Sequence, residues 1–220
     1  MDIGRSFTYM FEDQDWLKKI LIGGVVNLIP IVNLAATGYF IETIRNTAEG
    51  QELPLPEWDD FGGKFMKGLM AGIAGFLYAL PIMLVMGLVV GLTTVLAGAS
   101  DEDVAATGAT ICSMIGYCLM FVYMILLMLI LPAATVRYAL TEQFGAFFRF
   151  GEIFALIKAN IGGYIIALLV ALVAGLIAQI VGGIACGIGI FFTLMWAMLV
   201  GANLLGNLVR EAQPATSETI

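Results

Sequence analysis

The 220 residues include no histidine. That removes the commonest metal ligand and the usual general base, and it weakens every enzyme hypothesis at once. Cysteine is scarce: Cys112, Cys118 and Cys186 are the only three, each inside an apolar stretch. An odd number of thiols in such surroundings suits packing, not a disulfide frame. Charge is scarce too, at 12% of residues where a soluble domain carries roughly 25%. Residues 159–209 contain no charge at all. The charges that do occur give a net −7. An acidic balance excludes a nucleic-acid surface and a polybasic lipid-binding surface, because both need clustered lysine and arginine.

What remains is apolar: 60% of the chain is hydrophobic, with a mean hydropathy of +0.97. A helix needs roughly 20 mostly apolar residues to cross a hydrocarbon core about 30 Å thick. Residues 68–96, 104–136, 161–181 and 188–208 each meet that length. The composition therefore predicts an all-α polytopic membrane bundle, a single membrane domain over residues 1–210 with a flexible polar tail at 211–220. The lipid bilayer is its first partner. The first apolar run starts only at Ile20, after acidic Asp2, Glu12, Asp13 and Asp15, which is not the pattern of a signal peptide.

Three amphipathic stretches fall between these runs. Residues 3–17 place Ile3, Phe7, Met10, Phe11 and Leu17 at helical spacing and predict an interfacial helix, with Trp16, Lys18 and Lys19 as headgroup anchors. Residues 42–67 read as a proline-containing loop followed by a second interfacial helix around Trp58, Phe61 and Phe65. Residues 142–158, rich in phenylalanine, read as a third. Trp16 to Gly24 and Leu156 to Gly163 share spacing, and Phe61 to Gly68 has a similar aromatic–lysine–glycine order, which suggests one unit used three times.

Residues 20–41 are about one bilayer long, but Asn27, Pro30 and Asn33 interrupt them. Proline removes a backbone hydrogen bond and bends or ends a helix. The segment is either one kinked span or a re-entrant hairpin turning at Pro30. Lysine and arginine positions favour the hairpin. The turns at 101–103 and 182–189 carry no basic residue, whereas Arg45, Lys64, Lys67, Arg137, Arg149, Lys158 and Arg210 fall on the opposite side. The positive-inside rule makes that side cytoplasmic, together with the C-terminus, and only a hairpin brings Arg5, Lys18 and Lys19 to it. The expected architecture is four full spans plus one re-entrant or kinked segment in the cell membrane.

Asp15-Trp16, Ile29-Pro30, Gly38-Tyr39, Leu55-Pro56-Glu57-Trp58-Asp59-Asp60, residues 132–138 and Ala146-Phe147-Phe148-Arg149-Phe150 together resemble a family of uncharacterised prokaryotic integral membrane proteins, catalogued as a domain of unknown function. The Pro-Glu-Trp-Asp-Asp run is the most specific part of that likeness. The resemblance implies a membrane protein of archaea and bacteria and carries no activity with it.

Two sets of residues stand out as candidates. Asn27, Pro30 and Asn33 suit a substrate or ion site, because broken helices at membrane depth expose carbonyls and helix ends; the plainer reading is a kink repaired by the asparagines. Trp16, Pro56, Glu57, Trp58, Asp59 and Asp60 suit an interfacial anchor and a helix cap. Gln179, Asn203 and Asn207 suit interhelical hydrogen bonds. No residue set is expected to be catalytic, to ligate a metal or to bind a cofactor. The expected role is a membrane-organising or accessory component without catalysis, partnered by a second copy or another membrane protein. The alternative is a small transporter or channel whose pathway passes Pro30.

Overall fold

The computed structural model describes residues 2–98, 102–184 and 187–212. Among these are eight α-helices and no strand: α1 Ile3–Thr8, α2 Trp16–Leu28, α3 Leu34–Ala48, α4 Phe61–Ala97, α5 Glu102–Thr141, α6 Phe150–Ala159, α7 Ile161–Ile184 and α8 Gly189–Ala212, with 3₁₀ turns at Tyr9–Glu12 and Phe144–Phe148. Helices α4, α5, α7 and α8 are long and apolar enough to cross a membrane. The chain is an all-α, multi-pass membrane protein. Ser100 and Asp101 of the expected turn, Cys186 and the tail beyond Ala212 lie outside the described residues.

Two compact units divide the described residues, one from Met1–Gly72 with Pro132–Ile220 and the other Ile73–Leu131. In the first, α8 is the spine: Leu199, Val200, Ala202 and Leu204 are fully buried. Helix α7 lies antiparallel to it. Gly182 allows the approach, since a Cβ there would collide with the Ile190 backbone, and Thr193 Oγ1 donates to the Ala178 carbonyl at 2.7 Å. Gly187, at φ +79°, takes a left-handed conformation in the turn before α8 that only glycine enters without cost.

Helices α2 and α3 run along α8 in opposite directions. Gly23 and Gly24 face Met195 and Phe192, while Phe40 lies near Gly201 and Ile44 near Gly206. At 13 and 15 residues, these helices rise about 20 Å and 22 Å, short of the roughly 30 Å a span needs. Residues 20–41 are therefore not one kinked helix. Pro30 sits in a turn at residues 29–33, and Ile31 there has φ +71°. The chain then returns to where α2 began, because the Lys19 ammonium reaches the Leu55 carbonyl at 3.1 Å.

The amphipathic stretches differ from expectation. Residues 3–17 do not form one helix: α1 ends at Thr8, a 3₁₀ turn follows, and Asp13 Oδ1 accepts from the Asp15 amide at 2.8 Å before α2 starts. Nor is there a separate interfacial helix before residue 68; from Phe61 the chain is continuous α4, because no proline or capping signal separates Lys64 and Lys67 from the apolar run. Residues 142–158 are a 3₁₀ turn plus α6. The proposed repeat also diverges: Trp16 to Gly24 is one helix, whereas Asn160 separates α6 from α7 and caps the latter through Oδ1 to the Gly163 amide at 2.9 Å.

In the unit Ile73–Leu131, the apolar parts of α4 and α5 form a hairpin. Gly116 faces Val89 and Gly108 faces Leu96. Both helices contain a proline, Pro81 and Pro132, and a tyrosine hydroxyl sits beside each. Tyr123 donates to the Tyr78 carbonyl at 2.5 Å, and in the first unit Tyr164 accepts from the Ala133 amide at 3.1 Å. Side chains that take up backbone groups near a proline are what make it tolerable inside a span.

Candidate functional site

The residues around the Pro30 break do not converge. Pro30, Ile31 and Asn33 are exposed on the turn, and the Asn33 side chain caps nothing. Asn27 is half-buried and points its amide toward Met195 Sδ at 4.0 Å. Neither asparagine repairs the backbone.

The Pro56–Asp60 loop is folded inward at one residue. Trp58, expected as a membrane anchor, stacks on Tyr39 at 4.6 Å and donates from Nε1 to the Lys19 carbonyl at 3.0 Å. Trp16 packs edge-on against Phe11 at 4.8 Å. Asp60 caps α4 as its position suggests, accepting from the Gly63 amide at 2.9 Å, and Asp59 accepts from the Asp60 amide at 2.8 Å. Pro56 is half-buried and Glu57 exposed.

The residue that organises this loop is Lys19. It reads from the sequence as a headgroup anchor, yet it is 4% exposed. Its ammonium pairs with Asp13 at 2.7 Å and Glu57 at 2.6 Å, so all three donors are used once Leu55 is counted. Burial works against the charged form, but the hydrogen bonds and charges of Asp13 and Glu57 outweigh it and hold the Lys19 pKa above the ordinary lysine value. Close by, the Tyr39 hydroxyl is buried without a partner among the described residues, and burial raises its pKa far beyond the usual phenol range.

A second network ties α3 to the start of α4. Glu42 bridges Lys64 at 2.9 Å and Lys67 at 2.8 Å. Glu142 bridges Lys67 at 2.9 Å and Arg45 at 2.7 Å, with Glu49 also on Arg45 at 2.8 Å. The Lys67 hydrogen bond, ahead of the opposing cost of burial, holds the Glu142 carboxyl below its ordinary value. The two helices touch through Gly38 and Gly68: a Cβ on the first would collide with the Lys64 carbonyl, and one on the second with the Leu34 carbonyl.

A third polar region lies against the C-terminal half of α8. Asn203, Asn207 and Arg210 recur four and three residues apart, so they share one stripe of the helix. Asn203 Oδ1 accepts from Ser6 Oγ at 2.9 Å and from Asn207 Nδ2 at 2.8 Å, and Tyr9 donates to the Leu199 carbonyl at 3.0 Å. These bonds fix α1 and the following turn onto α8, where the sequence suggests a helix lying free at the interface. Between α1, the end of α3 and α8 they leave a polar cavity of about 320 Å³. Thr47 lines it, and its buried hydroxyl has no partner among the described residues. Gln179, by contrast, is exposed.

The profile of a family described as a protein of unknown function, DUF4013, matches residues 22–187. An uncharacterized protein of Methanocaldococcus jannaschii, MJ1189, is 29% identical over 139 residues, which cover 63% of this chain and 45% of the relative. The chain thus spans less than half the length of that relative. No solved structure matches it.

Proposed function

We propose, for a chain that belongs to the DUF4013 family of proteins of unknown function, a non-catalytic role as a membrane-organising component that associates with further copies of itself. The observation that carries this reading is the unit Ile73–Leu131. Its two helices are exposed on most sides, with Leu84 69%, Leu88 75%, Val95 73% and Phe121 68% exposed. Lipid covers such a surface as readily as protein does, so burial of apolar area does not drive association there. Close approach of backbones does, and Gly87 and Gly91, one turn apart on α4, have nothing within 4 Å of where a Cβ would stand. A non-catalytic reading is further supported by the engagement of Lys19, Asp13, Glu42 and Lys64 in ion pairs with one another and with Glu57 and Lys67. The distribution of lysine and arginine supports a cell-membrane location with the C-terminus in the cytoplasm.

Energy transfer between labelled copies in liposomes, followed as lipid dilutes the protein, tests the reading. The wild type should associate, and Gly87→Leu with Gly91→Leu should weaken association at least tenfold. A monomeric wild type at every dilution contradicts it. The second reading, a transport pathway near Pro30, draws support from Ile31: a β-branched residue at positive φ costs about 1–3 kcal/mol, and such strain clusters at functional sites. Solute or ion flux in the same liposomes that is lost in Asn27→Leu or Asn33→Leu would favour it.

A further inference from the structure

The polar cavity on α8 is lined by charges of both signs. Arg5 and Arg210 stand on its wall, as do Asp2, Glu52 and Glu211. Arg5 is paired with Glu12 at 3.2 Å, but neither Arg210 nor Glu52 has an ion-pair partner among the described residues. A neighbouring cavity of about 480 Å³ shares Arg5, Gln51, Glu52 and Arg210, so the pair of charges faces both spaces.

The cavity floor carries donors that the protein itself does not use. Asn203 is 6% exposed, and both of its hydrogen bonds are accepted by Oδ1; its Nδ2 has no partner among the described residues. Thr47 is 4% exposed and its hydroxyl is likewise unbonded. Buried polar groups are almost always hydrogen-bonded, and leaving one unmade costs about 1–3 kcal/mol. The Thr47 hydroxyl is such a group; on the wall of an open polar cavity that the Asn203 amide also lines, it points to a ligand that supplies what it lacks.

The charge pattern narrows the ligand. A simple anion would be drawn to Arg210, Asn203 and Thr47 but repelled by Asp2, Glu52 and Glu211. A simple cation would meet the reverse. A zwitterion satisfies both sets, and the cavity falls within the few-hundred-Å³ range of small-ligand sites. Position along the span favours phosphate as the anionic half: Val209 ends the apolar run of α8 and Arg210 follows it, the level at which a spanning helix meets the headgroups.

We propose that this cavity binds a phosphate ester bearing a primary ammonium, the chemistry of a phosphoethanolamine group. The phosphate would lie toward Arg210 and the Asn203 amide, and the ammonium toward Asp2 and Glu52. The site is separate from the glycines that carry the self-association reading, and either can fail without the other.

Titration calorimetry on the full chain in detergent tests it, with free O-phosphoethanolamine, phosphocholine and inorganic phosphate as probes. Phosphoethanolamine should bind at least tenfold more tightly than phosphocholine, whose quaternary ammonium cannot donate to a carboxylate, and than inorganic phosphate. Arg210→Gln should weaken it at least tenfold and Glu52→Gln about fivefold; both side chains are exposed, so folding is not at stake. Native mass spectrometry after extraction from vesicles of phosphatidylethanolamine or phosphatidylcholine separates the sources. Selective retention of the former assigns a lipid headgroup, and titration binding without retention assigns a free ligand. Inorganic phosphate binding as tightly as phosphoethanolamine, indifference to both substitutions, or binding in neither assay overturns the proposal.

Discussion

Replacing Lys19 by methionine should be the most damaging single change in the α1–α3 region. The side chain is replaced at similar volume, so the effect is electrostatic. Asp13, itself 7% exposed, would keep its carboxylate beside an apolar group, and the Leu55 carbonyl would lose its donor. Breaking a buried pair by removing one partner costs about 3–5 kcal/mol, mostly from the charge left behind. For a chain of this length that is about 6–20 °C in Tm. Glu57, whose side chain is 58% exposed, can be rehydrated, so Glu57→Gln should cost at most about 1 kcal/mol. The double variant Lys19→Met with Asp13→Leu should recover much of the loss, since apolar replacement of a whole buried pair is often close to neutral. Thermal melts of the detergent-solubilised variants supply the cycle. A Lys19→Met variant as stable as Glu57→Gln would refute the reasoning.

Gly68→Ala should destabilise by about 1–3 kcal/mol through its collision with the Leu34 carbonyl, whereas Gly75→Ala, with open space around it, should be neutral or gain up to about 1 kcal/mol of helix propensity; paired melts decide. Tyr164→Phe removes the acceptor for the Ala133 amide and should lower stability by about 1–3 kcal/mol, again read from Tm. Because the Glu142 pKa is lowered in the folded state, its contribution is present above the unfolded glutamate value of about 4.3 and is lost as pH falls through the folded value. The Tm gap between wild type and Glu142→Gln should therefore be constant near neutrality and close below about pH 4. At the alkaline end, the raised Lys19 pKa places its contribution below the unfolded value of about 10.4, with loss only as pH rises through the higher folded value.

The spans were legible because a bilayer imposes a length and a composition that short-range reading detects. Helices α7 and α8 fall within a few residues of the apolar runs at 161–181 and 188–208. Asp60 as a cap was legible for the same local reason. Lys19 was not: its partners lie six residues back at Asp13 and far ahead at Glu57, and a lysine beside an apolar run has the same local pattern whether it faces headgroups or a buried carboxylate. Ser6 and Tyr9 were missed alike, since their partners are Asn203 and the Leu199 carbonyl near the other end of the chain. Gly38 and Gly68 were visible only as small residues; that each admits a carbonyl from the other helix is a property of the crossing. The turn at Pro30 was legible as a break, but the exposure of Asn33 and the inward turn of Asn27 depend on where α8 lies.

Whether α2 and α3 return the chain to the membrane face it entered from is tested most directly by paired labelling in intact cells. In a background with Cys112, Cys118 and Cys186 replaced, single cysteines at Ile3, Asp103 and Ala212 would be exposed to an impermeant thiol reagent. The proposed topology predicts labelling of the Asp103 position alone, with Ile3 and Ala212 reacting only after the membrane is opened. Labelling of the Ile3 position from outside, with Ala212 still protected, would contradict the hairpin.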